Sequence, residues 1–154
     1  MTINGRFVWV YDNSHDVVLA HVIEVAEADP DIDDTLVENW RVLATISDIA
    51  LTYPTEHDID GEAFLRCLEA TRERVLEAGD LDADALKGWS VLDGYDVSDG
   101  FVRGGRHPMA ALLDTVDGFR DMLTGTLEPD PENGAWFLGA PEGRSTIGMS
   151  GRDR

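Results

Sequence analysis

Asp29, Asp31 and Asp33 alternate with other residues in DPDIDD, and Asp80, Asp82 and Asp84 repeat the pattern in DLDADAL. Alternate carboxylates are what a hard divalent cation needs, because calcium takes roughly six to eight oxygen ligands. Neither run closes as a calcium loop. The sixth position, where a sharp turn calls for glycine, holds Asp34 in the first run and Ala85 in the second. The twelfth position of the first run is Trp40, where a bidentate glutamate should complete the shell.

Other chemistries lack their patterns as well. His15, His21, His57 and His107 form no pair at zinc-ligand spacing, and no second cysteine accompanies Cys67. Cys67 lies between Leu65 and Leu68 near an apolar helical stripe and reads as a buried structural thiol. Ser14-His15-Asp16 contains the residue types of a hydrolytic triad, but such groups converge in space, so adjacency carries no weight. No glycine-rich phosphate loop is present, and no two of the 31 acids stand out as a glycosidic pair. Arg103, Arg106 and His107 form a small basic patch whose arginines are expected to pair with nearby aspartates. The expectation is no catalytic residue, no metal and no cofactor.

The elements that must position these groups follow from apolar periodicity. Arg6 to Tyr11 reads as a strand, with Trp9 on its core side. Val17 to Ala28 reads as a helix, although it is apolar nearly all round and a strand hairpinned to the first is the alternative. Asp33 to Tyr53 reads as a central helix capped by Asp33 or Asp34, with Trp40 on its buried line and Pro54 as its stop. Another helix starts at Asp58–Asp60 and ends at a left-handed Gly79, and a short turn follows at Asp82–Lys87. Residues 88–107 read as irregular loop with at most brief strands, Pro108 opens a last long helix, and Gly125 closes it. Ala135–Leu138 and Ser145–Met149 flank GAPEG as a hairpin. The sum is an α-dominated α+β domain with about four helices and a small antiparallel sheet or hairpins, spanning 1–150, with 151–154 as a flexible tail.

Charge supplies the functional signal. The chain carries a net −19, and fourteen of those charges fall in two windows, residues 29–62 at −9 and 80–100 at −5. Residues 63–79 sum to zero. Crowded like charges oppose folding, so they require a solvated face or a cationic partner. The same charge repels nucleic acids and anionic membranes. A single cysteine, no signal peptide and no long apolar run point to a cytoplasmic protein. Aspartate outnumbers glutamate 20 to 11 and Lys87 is the one lysine, a usage common in GC-rich bacteria and haloarchaea. Halophilic acidity would cover the whole surface more evenly than this.

Binding is then expected at Asp31, Asp33, Asp34, Asp58, Asp60, Asp80, Asp82, Asp84, Asp93, Asp96 and Asp99, gathered by folding into one anionic patch. Trp89 and Tyr95, set among aspartates, would anchor its centre. In size, charge and the segments DPDIDD, TEHDIDGE and DLDADAL, the chain resembles the immunity proteins of bacterial toxin systems, including contact-dependent inhibition. The resemblance implies a protein that neutralises a cationic, nuclease-type toxin by occluding its cleft. A small metal- or carboxylate-dependent enzyme and a DNA-mimic inhibitor of a DNA-binding protein are the alternatives.

Overall fold

A computed structural model describes residues 2–3, 6–45, 61–86 and 106–148. Its centre is α1 (Asp12–Ala28), which settles the ambiguity of the apolar stretch in favour of a helix starting five residues earlier. Asn13 to Ile23 are all buried, because α2 (Asp34–Thr45), α3 (Gly61–Ala78) and α5 (Met109–Thr124) all pack against it. A helix surrounded on every side has no solvent stripe, which is why its sequence shows so little amphipathic contrast.

The outer helices show the ordinary pattern. Asp33 caps α2, its Oδ1 accepting the Thr35 N–H at 2.7 Å. Trp40 is 1% exposed and meets Phe64 of α3 edge to face, ring centroids 5.2 Å apart. On α3 the buried line is Ala63, Phe64, Cys67, Leu68, Thr71 and Val75, and Gly79 (φ +69) ends the helix with its N–H on Val75 O. Each large side chain so buried contributes about 1.5–3 kcal/mol by leaving water. The sequence reading of a helix running on to Tyr53 extends past Thr45 into residues outside those described. Pro108 stands one place before α5, as its N-cap, and left-handed Gly125 closes that helix.

Two short antiparallel pairs flank the helices: β1 (Thr2–Ile3) with β2 (Arg6–Phe7), and β4 (Leu81–Asp82) with β5 (Arg106–His107). Between β4 and β5 in sequence comes α4 (Ala83–Leu86), the short turn foreseen there. The main sheet has the order β3-β6-β7, from β3 (Trp9–Val10), β6 (Gly134–Leu138) and β7 (Ser145–Gly148). β6 and β7 form the expected hairpin, but β3 joins β6 in parallel, with Trp9 opposite Phe137 and Val10 opposite Leu138. The sheet is therefore mixed, since the chain crosses the whole helical layer before returning beside its first strand. Leu138 packs on α5 at Gly118, where a Cβ would collide with its Cδ1. The fold is α+β, and among the described residues it is dominated by four long helices.

Candidate functional site

Six of the acids expected to bind are among the described residues, and Asp31, Asp33, Asp34, Asp80, Asp82 and Asp84 are all exposed. Asp58, Asp60, Trp89, Asp93, Tyr95, Asp96 and Asp99 lie outside those residues. Three of the six also do local structural work. Asp33 caps α2, and hydrogen bonds from Thr35, side chain first and amide second, hold its carboxyl below the usual range. Asp82 Oδ1 accepts the Ala85 N–H at 2.8 Å in the α4 turn. Asp80 Oδ1 accepts the Met109 N–H at 2.9 Å, capping α5, whose own N-cap Pro108 has no capping side chain. Short acidic side chains suit such positions, where they satisfy helix donors and meet the positive end of the dipole.

These acids do not form one patch. Arg66, near the start of α3, lies 3.9 Å from Asp29 at the end of α1, which places Asp31, Asp33 and Asp34 at that end of α3. Asp80, Asp82 and Asp84 follow its other end. Eighteen helical residues separate the two groups by about 25 Å, roughly three Debye lengths at physiological salt. Among the described residues, then, the helix is a spacer between two acidic ends.

What joins them is a feature hidden by the zero net charge of residues 63–79. On α3 the solvent face carries Glu62, Glu69, Glu73 and Glu77, all exposed, opposite the buried line of Phe64, Leu68, Thr71 and Val75. Two of the helix's three arginines point sideways, and Arg66, more than half exposed, shares the solvent face between Glu62 and Glu69. Arg66 reaches Asp29, Arg72 pairs with Asp117 of α5 at 3.1 Å, and Arg74 pairs with Glu24 of α1 at 3.1 Å. Arginine elsewhere is spent in the same way, Arg6 on Asp130, Arg41 on Glu27, Arg120 on Asp117 and Asp121, and Arg144 on Asp114. These ion pairs do not involve Asp31, Asp33, Asp34, Asp80 or Asp82, nor Glu69, Glu73 or Glu77.

The placement of those glutamates runs against helix physics. Glu69, Glu73 and Glu77 repeat at i, i+4, where like charges repel by ~0.2–0.5 kcal/mol per pair. Glu77 also stands in the last turn, which has no basic residue, facing the negative end of the dipole. The i, i+4 spacing was available in the sequence. Summing charge by segment concealed it, because which residues of a helix share solvent depends on the face that packs.

A second polar cluster is internal. Ser14 Oγ lies 2.7 Å from His107 Nε2, a nucleophile-to-base distance, and 93 residues separate the two in sequence. The hydroxyl donates its single hydrogen to Gly139 O at 2.5 Å, so the imidazole Nε2–H must donate to Ser14. Both residues are 0% exposed. The arrangement is a buried clasp joining α1, β5 and the turn after β6, and it cannot work as an activated serine in this state. Burial holds His107 down to about 4, so it is neutral and withdrawn from the basic patch that sequence suggested. Around the clasp, Asp114 Oδ2 accepts the Gly139 N–H and Oδ1 accepts Arg144 Nε–H at 2.7 Å. The partner of Ser14 is thus His107, while the adjacent His15 Nδ1 lies 3.3 Å from Asp16.

Cys67 is 1% exposed, and burial with the nearby Asp29 charge pushes its thiol up to about 11, as befits an inert core residue. Among the described residues no three His, Cys, Asp or Glu side chains converge as metal ligands, and no helix is long and apolar enough to cross a membrane. Trp9, expected in the core, is 43% exposed. Trp136, partly buried, packs against the core and donates its indole N–H to Glu128 O and Pro129 O. Compared with known proteins, the chain matches no family model, no curated sequence and no solved structure.

Proposed function

We propose that this chain is an acidic protein-binding inhibitor whose partner is a cationic protein, in the manner of an immunity protein covering the cleft of a nuclease-type toxin in the cytoplasm. The observation that carries the reading is the solvent face of α3, where Glu69, Glu73 and Glu77 repel one another while Arg72 and Arg74 are turned onto neighbouring helices and only Arg66 shares that face. A protein that only needed solubility gains nothing from stacking like charges at i, i+4. A surface that must attract cations does, and the acids at both ends of α3 extend its field. Enzymes that cleave nucleic acids need cationic clefts for phosphate, and a complementary acidic ridge raises the rate of encounter by roughly 10- to 1,000-fold at low salt.

The test is a triple substitution, Glu69→Gln, Glu73→Gln and Glu77→Gln, measured against the cationic protein that the tagged parent chain pulls down. Stopped-flow association of the parent should slow at least ~10-fold between low salt and near-molar salt, and the triple variant should lose most of that dependence. The same variant should unfold at slightly higher denaturant, because two repulsive pairs of ~0.2–0.5 kcal/mol each are gone. Salt-insensitive association, or a variant that binds like the parent, would sink the reading.

A further inference from the structure

The outer face of the main sheet breaks the usual rule that an exposed sheet face is polar. Along residues 6–11, Val8 and Val10 turn to the core while Phe7 and Trp9 turn outward, and half-buried Tyr11 stacks on the buried His107 at 6.1 Å. Phe7 meets Trp9 edge to face at 5.2 Å, and Tyr11 meets Phe137 at 6.5 Å. Trp9 is opposite Phe137 in register, and Ala135 on the same face is opposite Ile147, which is 37% exposed. The result is an aromatic surface with its largest ring the least covered.

Acids frame it. Glu128 and Glu132 precede β6 and Glu142 occupies the β6–β7 turn, all exposed. The two arginines nearby are already engaged, Arg6 by Asp130 and the carbonyls of Leu127 and Glu128, and Arg144 by Asp114. An apolar centre with a charged rim is the anatomy of a protein interface, and tryptophan and tyrosine dominate the energetic centres of such interfaces. A second copy of the chain is disfavoured as occupant, since each molecule brings a net −19 and the rim would meet its own sign.

We infer that this sheet face is a docking surface for a basic protein, whose arginine side chains stack on Trp9 and its neighbouring rings while the rim acids meet their charge. The inference rests on the cationic-partner reading for the sign of the occupant, but it places a contact away from α3, on a different side of the molecule. Arginine suits the site better than lysine because its planar guanidinium stacks on aromatic faces as well as pairing with carboxylates.

Ten-residue arginine and lysine peptides serve as probes, followed by the indole N–H signals of the intact protein, with Trp9 assigned by Trp9→Ala. The arginine peptide should move the Trp9 signal and bind more tightly than the lysine peptide. Trp9→Ala should weaken the arginine peptide ~2- to 5-fold, as loss of one exposed cation–π contact predicts, whereas Leu76→Ala, another exposed apolar site, should not. If the peptides bind in a salt-sensitive way that depends on Glu69, Glu73 and Glu77 but leaves Trp9 unmoved, the docking surface is refuted and the function proposal stands. Absence of any binding refutes both. Dimerisation in sedimentation that Trp9→Ala abolishes assigns the face to a second copy and overturns the inference.

Discussion

Acid should unfold this protein through its histidines before its carboxylates. Burial, with the Arg74 charge beside it, holds His21 down to about 3, and burial alone holds His107 down to about 4, against an ordinary 6.5. Their exposures are 5% and 0%, so neither has solvent to relieve a new charge. Both folded values lie below the unfolded one, so the unfolded chain takes up protons first. Stability is complete above about pH 6.5 and falls as pH drops from there toward the folded values. Linkage gives about 2 kcal/mol lost per histidine by pH 5, hence roughly 3–4 kcal/mol for the pair between pH 7 and pH 5. That is a large share of a typical ~5–15 kcal/mol total. Relief of carboxylate repulsion works in the opposite direction but comes later, because ordinary carboxyls titrate near pH 4 and Asp33 is held lower still. Urea unfolding at about pH 7, 6 and 5 measures the slope. In His107→Gln the loss over that range should fall by about half, whatever the variant costs at neutral pH. A parent protein that loses less than ~1 kcal/mol by pH 5, or a variant with the parent's slope, would refute the reasoning.

Two further outcomes test the clasp and the cap. Gly139 sits at φ +72, and a Cβ there would strike Thr115 Oγ1 and lie 2.8 Å from Ser14 Cβ, so Gly139→Ala should cost about 2–4 kcal/mol in denaturant unfolding, far more than Gly143→Ala, which meets open space at φ +100. Asp80→Ala should lower stability by ~0.5–2 kcal/mol through loss of the α5 cap while Asp80→Asn keeps most of it, a difference readable by thermal melting.

Periodicity and terminators were enough to place most elements. The apolar line of α3, the hairpin around GAPEG and the left-handed glycines 79 and 125 depend on contacts within a few residues, so their signals are local and survive in a single chain. The acidity was equally plain, and so was the suitability of Asp33 as a cap. Its arrangement was not. Asp80 could be read as surface charge, but its duty to Met109 depends on β4 lying beside β5, a pairing of segments far apart in sequence.

The sequence by itself determined that this chain folds as helices around an apolar core and carries a net charge of −19, because turn-by-turn patterning and net charge need no knowledge of distant contacts. Tertiary structure alone decided which charges face water together, that Trp9 is outside while Trp136 leans on the core, and that Ser14 meets His107. Each of those depends on which face of a helix or strand finds a partner far along the chain. A strand with aromatics on one side and valines on the other can be buried either way round, and only the parallel pairing of β3 with β6 over α5 put Val8 and Val10 inward.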